Sequence, residues 1–260
     1  MNKILYAFVI VAVFTSCAES YSVQGSSSIS QLDGSKLYLK ALKNQELKNI
    51  DSCDIVHGQF RFTGLLDTVR MASLYMDDQS IMPVVLEKGE INIKIDNAEQ
   101  SMGGTPLNDK LCQFILRHNQ LGSQMSELQH KENQMLLDGI DEDEIRETIM
   151  LEASKIAQQE DSLVMDFIEE NFDNVLGPGV FMMITSGYPY PMLTPQIEHI
   201  MSKATDKFKN DPYVRDYYRT AQENEARQSG LDTPADQAIQ QQQQLRQQAP
   251  LIGMPQDTVK

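Results

Sequence analysis

The chain has 260 residues, 41% of them hydrophobic, which is enough to build a core for one large domain or two small ones. It carries 37 acidic residues against 22 basic ones, a formal net charge of −15. A surface of that sign is repelled by nucleic acid and by anionic lipid headgroups, so neither is expected as a partner.

The N-terminus has the zones of a secretory signal. Lys3 supplies a positive charge, Ile4 to Phe14 form an apolar run, and Thr15 and Ser16 precede Cys17. Eleven apolar residues fall well short of the ~20 needed to span a bilayer as a helix. Phe14-Thr15-Ser16-Cys17 resembles a bacterial lipobox, with Phe14 in place of the leucine usual at its first position. Residues 1–17 are therefore expected to be a lipoprotein signal peptide, with cleavage before Cys17 and lipid on Cys17. The membrane, reached through that lipid, is the first expected partner. The expected location is the cell envelope, at the outer membrane, on its periplasmic face or its surface.

Residues 18–104 read as a β-rich domain. Gly89 to Asp96 alternates strictly, with Ile91, Ile93 and Ile95 on one face. Gly58 to Gly64 does the same through Phe60 and Phe62, and Lys36 to Leu42 through Leu37 and Leu39. Val69 to Met76 and Ser80 to Glu87 are further β-rich runs. Asp33-Gly34, Asp51-Ser52, His57-Gly58 and Lys88-Gly89 read as turns. Six or seven short strands at this spacing predict an antiparallel sandwich or open barrel.

At Gly103-Gly104-Thr105-Pro106 the period changes from two to helical. Thr105 is placed to cap a helix carrying Leu111, Phe114, Ile115, Leu121, Met125 and Leu128. Asp141 and Glu144 open a second helix of about 30 residues, expected to pair antiparallel with the first. Gly177-Pro178-Gly179 reads as its terminator. Thr194-Pro195 and Asp211-Pro212 open helices over roughly 195–209 and 212–228. The helical region is thus 105–228. Residues 229–260, with the run Gln240 to Gln244, read as a Gln-rich flexible tail. The fold class is α+β.

No residue set forms a catalytic constellation, and no cofactor is implied. His57, His118, His130 and His199 lack metal spacing. In the acidic stretch Asp138 to Glu144, Ile145 occupies a position that a calcium loop needs for a ligand. Cys53 and Cys112 are either a disulfide pair or two buried thiols. Met182, Met183, Tyr188 and Tyr190 either line a groove or belong to the core.

Several elements follow one another in a specific order. Tyr21-Ser22-Val23-Gln24-Gly25 is followed by Asp33-Gly34 before Leu37-Tyr38-Leu39. Ile50-Asp51-Ser52 leads to Gly58-x-Phe60-x-Phe62-x-Gly64. Leu86-Glu87-x-Gly89-x-Ile91 then precedes Gly104-Thr105-x-Leu107-Asn108. In this order the segment from about 20 to 115 resembles domain-of-unknown-function family 4369, common in exported Bacteroidota proteins. The resemblance implies a β-domain, then a helical spacer, then a thioredoxin-like domain. The helices after 106 look like the spacer. No thioredoxin-like domain follows them, and no Cys-x-x-Cys occurs to relay electrons. The expected function is a lipid-anchored envelope protein that binds or scaffolds an envelope protein or small ligand, without catalysis. The alternatives are an accessory to thiol–disulfide chemistry and a remnant that lost its thioredoxin domain.

Overall fold

The computed structural model describes residues 19–43, 46–96 and 100–229. The expected signal peptide, Cys17 and all of the Gln-rich stretch beyond Ser229 lie outside the described residues. The chain packs as two compact units, Met1–Gln124 and Met125–Lys260.

The first unit holds eight strands: β1 (Ser20–Ser27), β2 (Lys36–Lys43), β3 (Glu46–Asp54), β4 (Gln59–Leu65), β5 (Arg70–Met76), β6 (Gln79–Leu86), β7 (Gly89–Ile95) and β8 (Gln100–Gly103). One sheet has the order β4-β1-β7-β8 and the other β3-β2-β5-β6. All pairings are antiparallel except β1 with β7, which is parallel. The alternation seen in the sequence is the alternation of burial. Val23, Phe60, Phe62, Ile91 and Ile93 from one sheet and Leu37, Leu39, Leu74, Val84 and Leu86 from the other are all buried.

Two elements depart from the sequence expectation. Asp51-Ser52 is not a turn: it lies inside β3, an edge strand whose residues 46–50 are exposed on both faces and so carry no alternating pattern. The four-residue β8 was too short to leave a periodic signal.

The helix α1 (Pro106–Leu137) begins where the period changes, but its start is held differently from the expected cap. The Oε1 atom of Glu87 accepts hydrogen bonds from Leu107 N at 2.8 Å and Asn108 N at 3.1 Å, satisfying two of the orphan amides of the first turn. Thr105 Oγ1 instead accepts from Asn108 Nδ2 at 2.9 Å. The Asn108 amide also faces β6. Its Oδ1 accepts from Val85 N and its Nδ2 donates to Val85 O, both at 2.8 Å. β6 ends its sheet, with β5 as its ladder neighbour. A side-chain amide thus stands where the peptide group of another strand would pair, closing the sheet edge at that residue.

The second unit begins within α1 and continues with α2 (Glu142–Glu170), α3 (Leu176–Thr185), α4 (Pro195–Lys203), α5 (Asp206–Lys209) and α6 (Pro212–Gln228). A Schellman pair, Gly139 N to Leu136 O and Ile140 N to Met135 O, ends α1. Asp141 caps α2 by accepting from Asp143 N. The Lys131–Glu152 ion pair sets the last turns of α1 against α2, as an antiparallel hairpin requires. Gly177-Pro178-Gly179 does not end the helical unit but lies in the first turn of α3, where proline has no amide to withhold. Glycine is needed at 177 because a Cβ there would lie 2.5 Å from Asn171 O. The helix expected over 195–209 is interrupted. Ala204 is extended and Thr205 caps a separate turn, α5, by accepting from Phe208 N.

Asn108→Ala removes both bonds to the buried Val85 peptide. With each unsatisfied buried group costing about 1–3 kcal/mol, the variant should lose roughly 2–5 kcal/mol in urea unfolding. A loss below about 1 kcal/mol would show that water takes over the amide's role.

Candidate functional site

The residues that carry the family-like pattern hold the turns of the β-domain and the start of α1. Asp33 Oδ1 accepts from Gly58 N at 3.1 Å, and Gly34 N donates to Ile55 O at 2.8 Å. These bonds tie the loop before β2 to the hairpin between β3 and β4. That hairpin turns through His57 and Gly58, both at positive φ (52° and 70°), the geometry of a two-residue primed turn. A side chain at 58 would also meet Ser27 O at 2.6 Å. Glu87, Thr105 and Asn108 form the clamp at the start of α1 described above.

The first unit leaves two surfaces unspent. One is β3 itself, whose ladder partner is β2. Leu47 is 50% and Ile50 38% exposed, and Leu42, the cross-strand partner of Leu47, is exposed beside them. The other is the outer face of the same sheet. There Tyr38 and Tyr75 are cross-strand partners, and Lys40 Nζ lies 4.5 Å from the Tyr75 ring centroid and 5.6 Å from that of Tyr38. A cation held over two rings keeps a positive charge on a strongly acidic protein while covering apolar surface.

Cys53 and Cys112 are free thiols, both half-buried, so the disulfide weighed from the sequence is not formed here. Cys53 sits in β3 opposite Leu37, and Cys112 in α1. Burial pushes the Cys53 thiol up to about 11, against a main-chain hydrogen bond from Arg61 that lowers it, and Asp51 and Asp54 raise it further. A nucleophilic or redox-cycling cysteine needs the opposite, a depressed value.

The segment that carries the strands, the turn and the clamp matches a family model. Residues 21–111 match the family model described as Domain of unknown function (DUF4369). Neither the curated proteins nor the solved structures give a match. The DUF4369 match runs from Tyr21 in β1 to Leu111, one turn past Asn108, so the clamp falls inside it. The family description assigns no catalysis. Among the described residues, no three His, Cys, Asp or Glu side chains are grouped as metal ligands.

Beyond the DUF4369 segment, the second unit resolves the Met and Tyr ambiguity in two directions. Phe181 packs edge-on against Phe208 and Tyr217, with centroids 5.7 and 5.4 Å apart. The Tyr217 hydroxyl accepts from Met192 N at 3.2 Å and donates to Met192 O at 3.1 Å, and Asn224 Nδ2 donates to Pro191 O at 2.8 Å. Tyr217 is thus both core and loop anchor and Tyr213 is half-buried against Phe181, whereas Met183 and Tyr190 are exposed. His57 forms the turn, His118 packs 5.8 Å from Phe114, and His199 lies 3.3 Å from Glu169, which also holds Lys203.

At pH 8 a thiol titrating near 11 is about one part in a thousand thiolate, against one in ten for an ordinary thiol at 9.0. In a chain whose other cysteines are serine, native Cys53 should react with iodoacetamide about 100-fold more slowly than in denaturant. Its native rate should keep rising past pH 9. A plateau at or below pH 9 contradicts the buried-thiol reading.

Proposed function

We propose that this chain is a non-catalytic cell-envelope lipoprotein, anchored through lipid on Cys17, whose β-domain binds an envelope partner along the free edge of β3. The supporting observation is that edge. A strand with one ladder partner and an unpaired row of main-chain groups is a template for an added strand. Proteins guard such edges with charge, proline or a covering element. Here residues 46–50 carry the ion pair Glu46–Lys48 at 3.2 Å, and beside it exposed Leu47 and Ile50, with Leu42 alongside. Main-chain hydrogen bonds would supply affinity for an extended segment of the partner, and Leu47, Ile50 and Leu42 the apolar contact.

No helix among the described residues is long and apolar enough to cross a membrane. In this reading the lipid, and not a spanning helix, anchors the chain. Several acyl chains, each contributing about 0.8 kcal/mol per buried CH₂, hold firmly where one does not. A role in thiol–disulfide exchange is disfavoured, because Cys53, the thiol on this same strand, is held protonated by its burial.

Two measurements test the two halves. Labelled palmitate should enter the wild-type chain and fail to enter Cys17→Ala; equal labelling of both would remove the anchor. A photo-crosslinking residue at Ile50 should give a discrete envelope-protein adduct that Asn49→Pro abolishes, while the same probe at Asp78 gives none. Matching adducts from both positions would remove the edge-binding reading.

A further inference from the structure

The end of the β-domain at which β1 begins has an apolar rim that the binding edge does not use. Ser20 pairs with Leu65, and Leu66 N donates to Glu19 O at 2.8 Å, so the loop between β4 and β5 lies beside the first described residues. Leu65 is 78% exposed, and Val69, at the other end of that loop, is 36% exposed. Two ion pairs lie around them, and Glu90 at the start of β7 is exposed. Asp67 bonds Arg70, and Lys88 reaches Glu19 at 3.3 Å. In a chain of net charge −15, this rim therefore presents apolar side chains beside two neutralised pairs.

Covalent geometry fixes where such a rim would sit. Ser20 is three residue steps from Cys17, and a chain spans at most about 3.5 Å per residue, so a lipidated Cys17 lies within about 10 Å of the start of β1. The polar headgroup layer is of similar thickness, roughly 5–8 Å on each side of the hydrocarbon. The lipid anchor would leave the β-domain no long tether. The surface nearest the anchor is the one carrying Leu65 and Val69.

We propose that the β4–β5 loop is a second membrane contact: Leu65 and Val69 enter the headgroup–acyl boundary, with the Asp67–Arg70 and Glu19–Lys88 pairs among zwitterionic headgroups. The occupant is the lipid bilayer itself. Apolar side chains at the end of a rigid element partition into this boundary, and the two ion pairs reduce the repulsion that the acidic surface would otherwise impose. This contact rests on the lipid-anchor reading and orients the molecule within it. Ser20 and the start of β5 face the membrane. The Asp77-Asp78 turn at the far end of β5, seven residues or about 23 Å away, faces water.

The test uses the lipidated full-length chain, with Cys53 and Cys112 replaced by serine, reconstituted into phosphatidylcholine vesicles. An environment-sensitive fluorophore is placed on Leu65→Cys or, as the control, on Asp78→Cys. The dye at 65 should show blue-shifted emission and be quenched by nitroxide lipids, while the dye at 78 is not. Far-UV circular dichroism checks that both variants are folded. As a second measurement without dye, Leu65→Gln with Val69→Gln in the otherwise native chain should transfer faster between vesicles than wild type. Equal dye behaviour at 65 and 78, or an unchanged transfer rate, with palmitate incorporated normally, overturns the contact and leaves the anchor standing. Absence of palmitate from the wild-type chain removes the anchor and this contact with it.

Discussion

The side chains of Glu87 and Asn108 meet three needs at one point in the first unit. A helix start leaves amides without partners, a sheet edge leaves a strand's peptide groups without partners, and a change from β to α structure places both in one small volume. Glu87 takes the amides of Leu107 and Asn108, while Asn108 takes both polar groups of Val85. Asn108 is fully buried, so these bonds have no competition from water and none could be lost cheaply. A carboxyl group at a helix N-terminus is also favoured by the helix dipole. The position of α1 on β6 therefore rests on two side chains 21 residues apart.

That arrangement explains why the pattern through Leu86-Glu87 and Thr105-x-Leu107-Asn108 is so legible in the sequence while saying nothing about function. These residues answer a requirement of the β-to-α junction, as Asp33, Gly34 and Gly58 answer one at the β3–β4 hairpin. The DUF4369 match covers both.

What could be read from the sequence follows from burial. Ile91, Ile93 and Ile95 alternate with polar residues because one face of β7 is covered and the other is wet, so that strand was plain. The first half of β3 is illegible in the sequence, and Asp51-Ser52 reads as a turn, because an edge segment exposed on both faces has no periodic side to betray it. The Gly177-Pro178-Gly179 segment misled for another reason. Its first glycine is demanded by the close approach of the Asn171 carbonyl, a contact between residues six apart that no periodicity encodes. Thr205 broke a helix that spacing alone would have continued, since Ile197, Ile200, Ala204 and Phe208 are all buried on either side of the break.

The same logic separates what β3 and Cys53 can do. Towards its end β3 sets Cys53 opposite Leu37 and half-buries it, and a thiol in that setting gives up its proton reluctantly. Toward its start, Leu47 and Ile50 stay in solvent, with main-chain groups on the outer side unpaired by any described strand. One strand therefore carries a quenched nucleophile at one end and an unfinished ladder at the other. Chemistry on the thiol would work against the raised proton affinity that its half-buried setting imposes. Adding a strand to the open ladder requires no rearrangement of the core. Between these two uses of β3, the physical cost favours association over reaction.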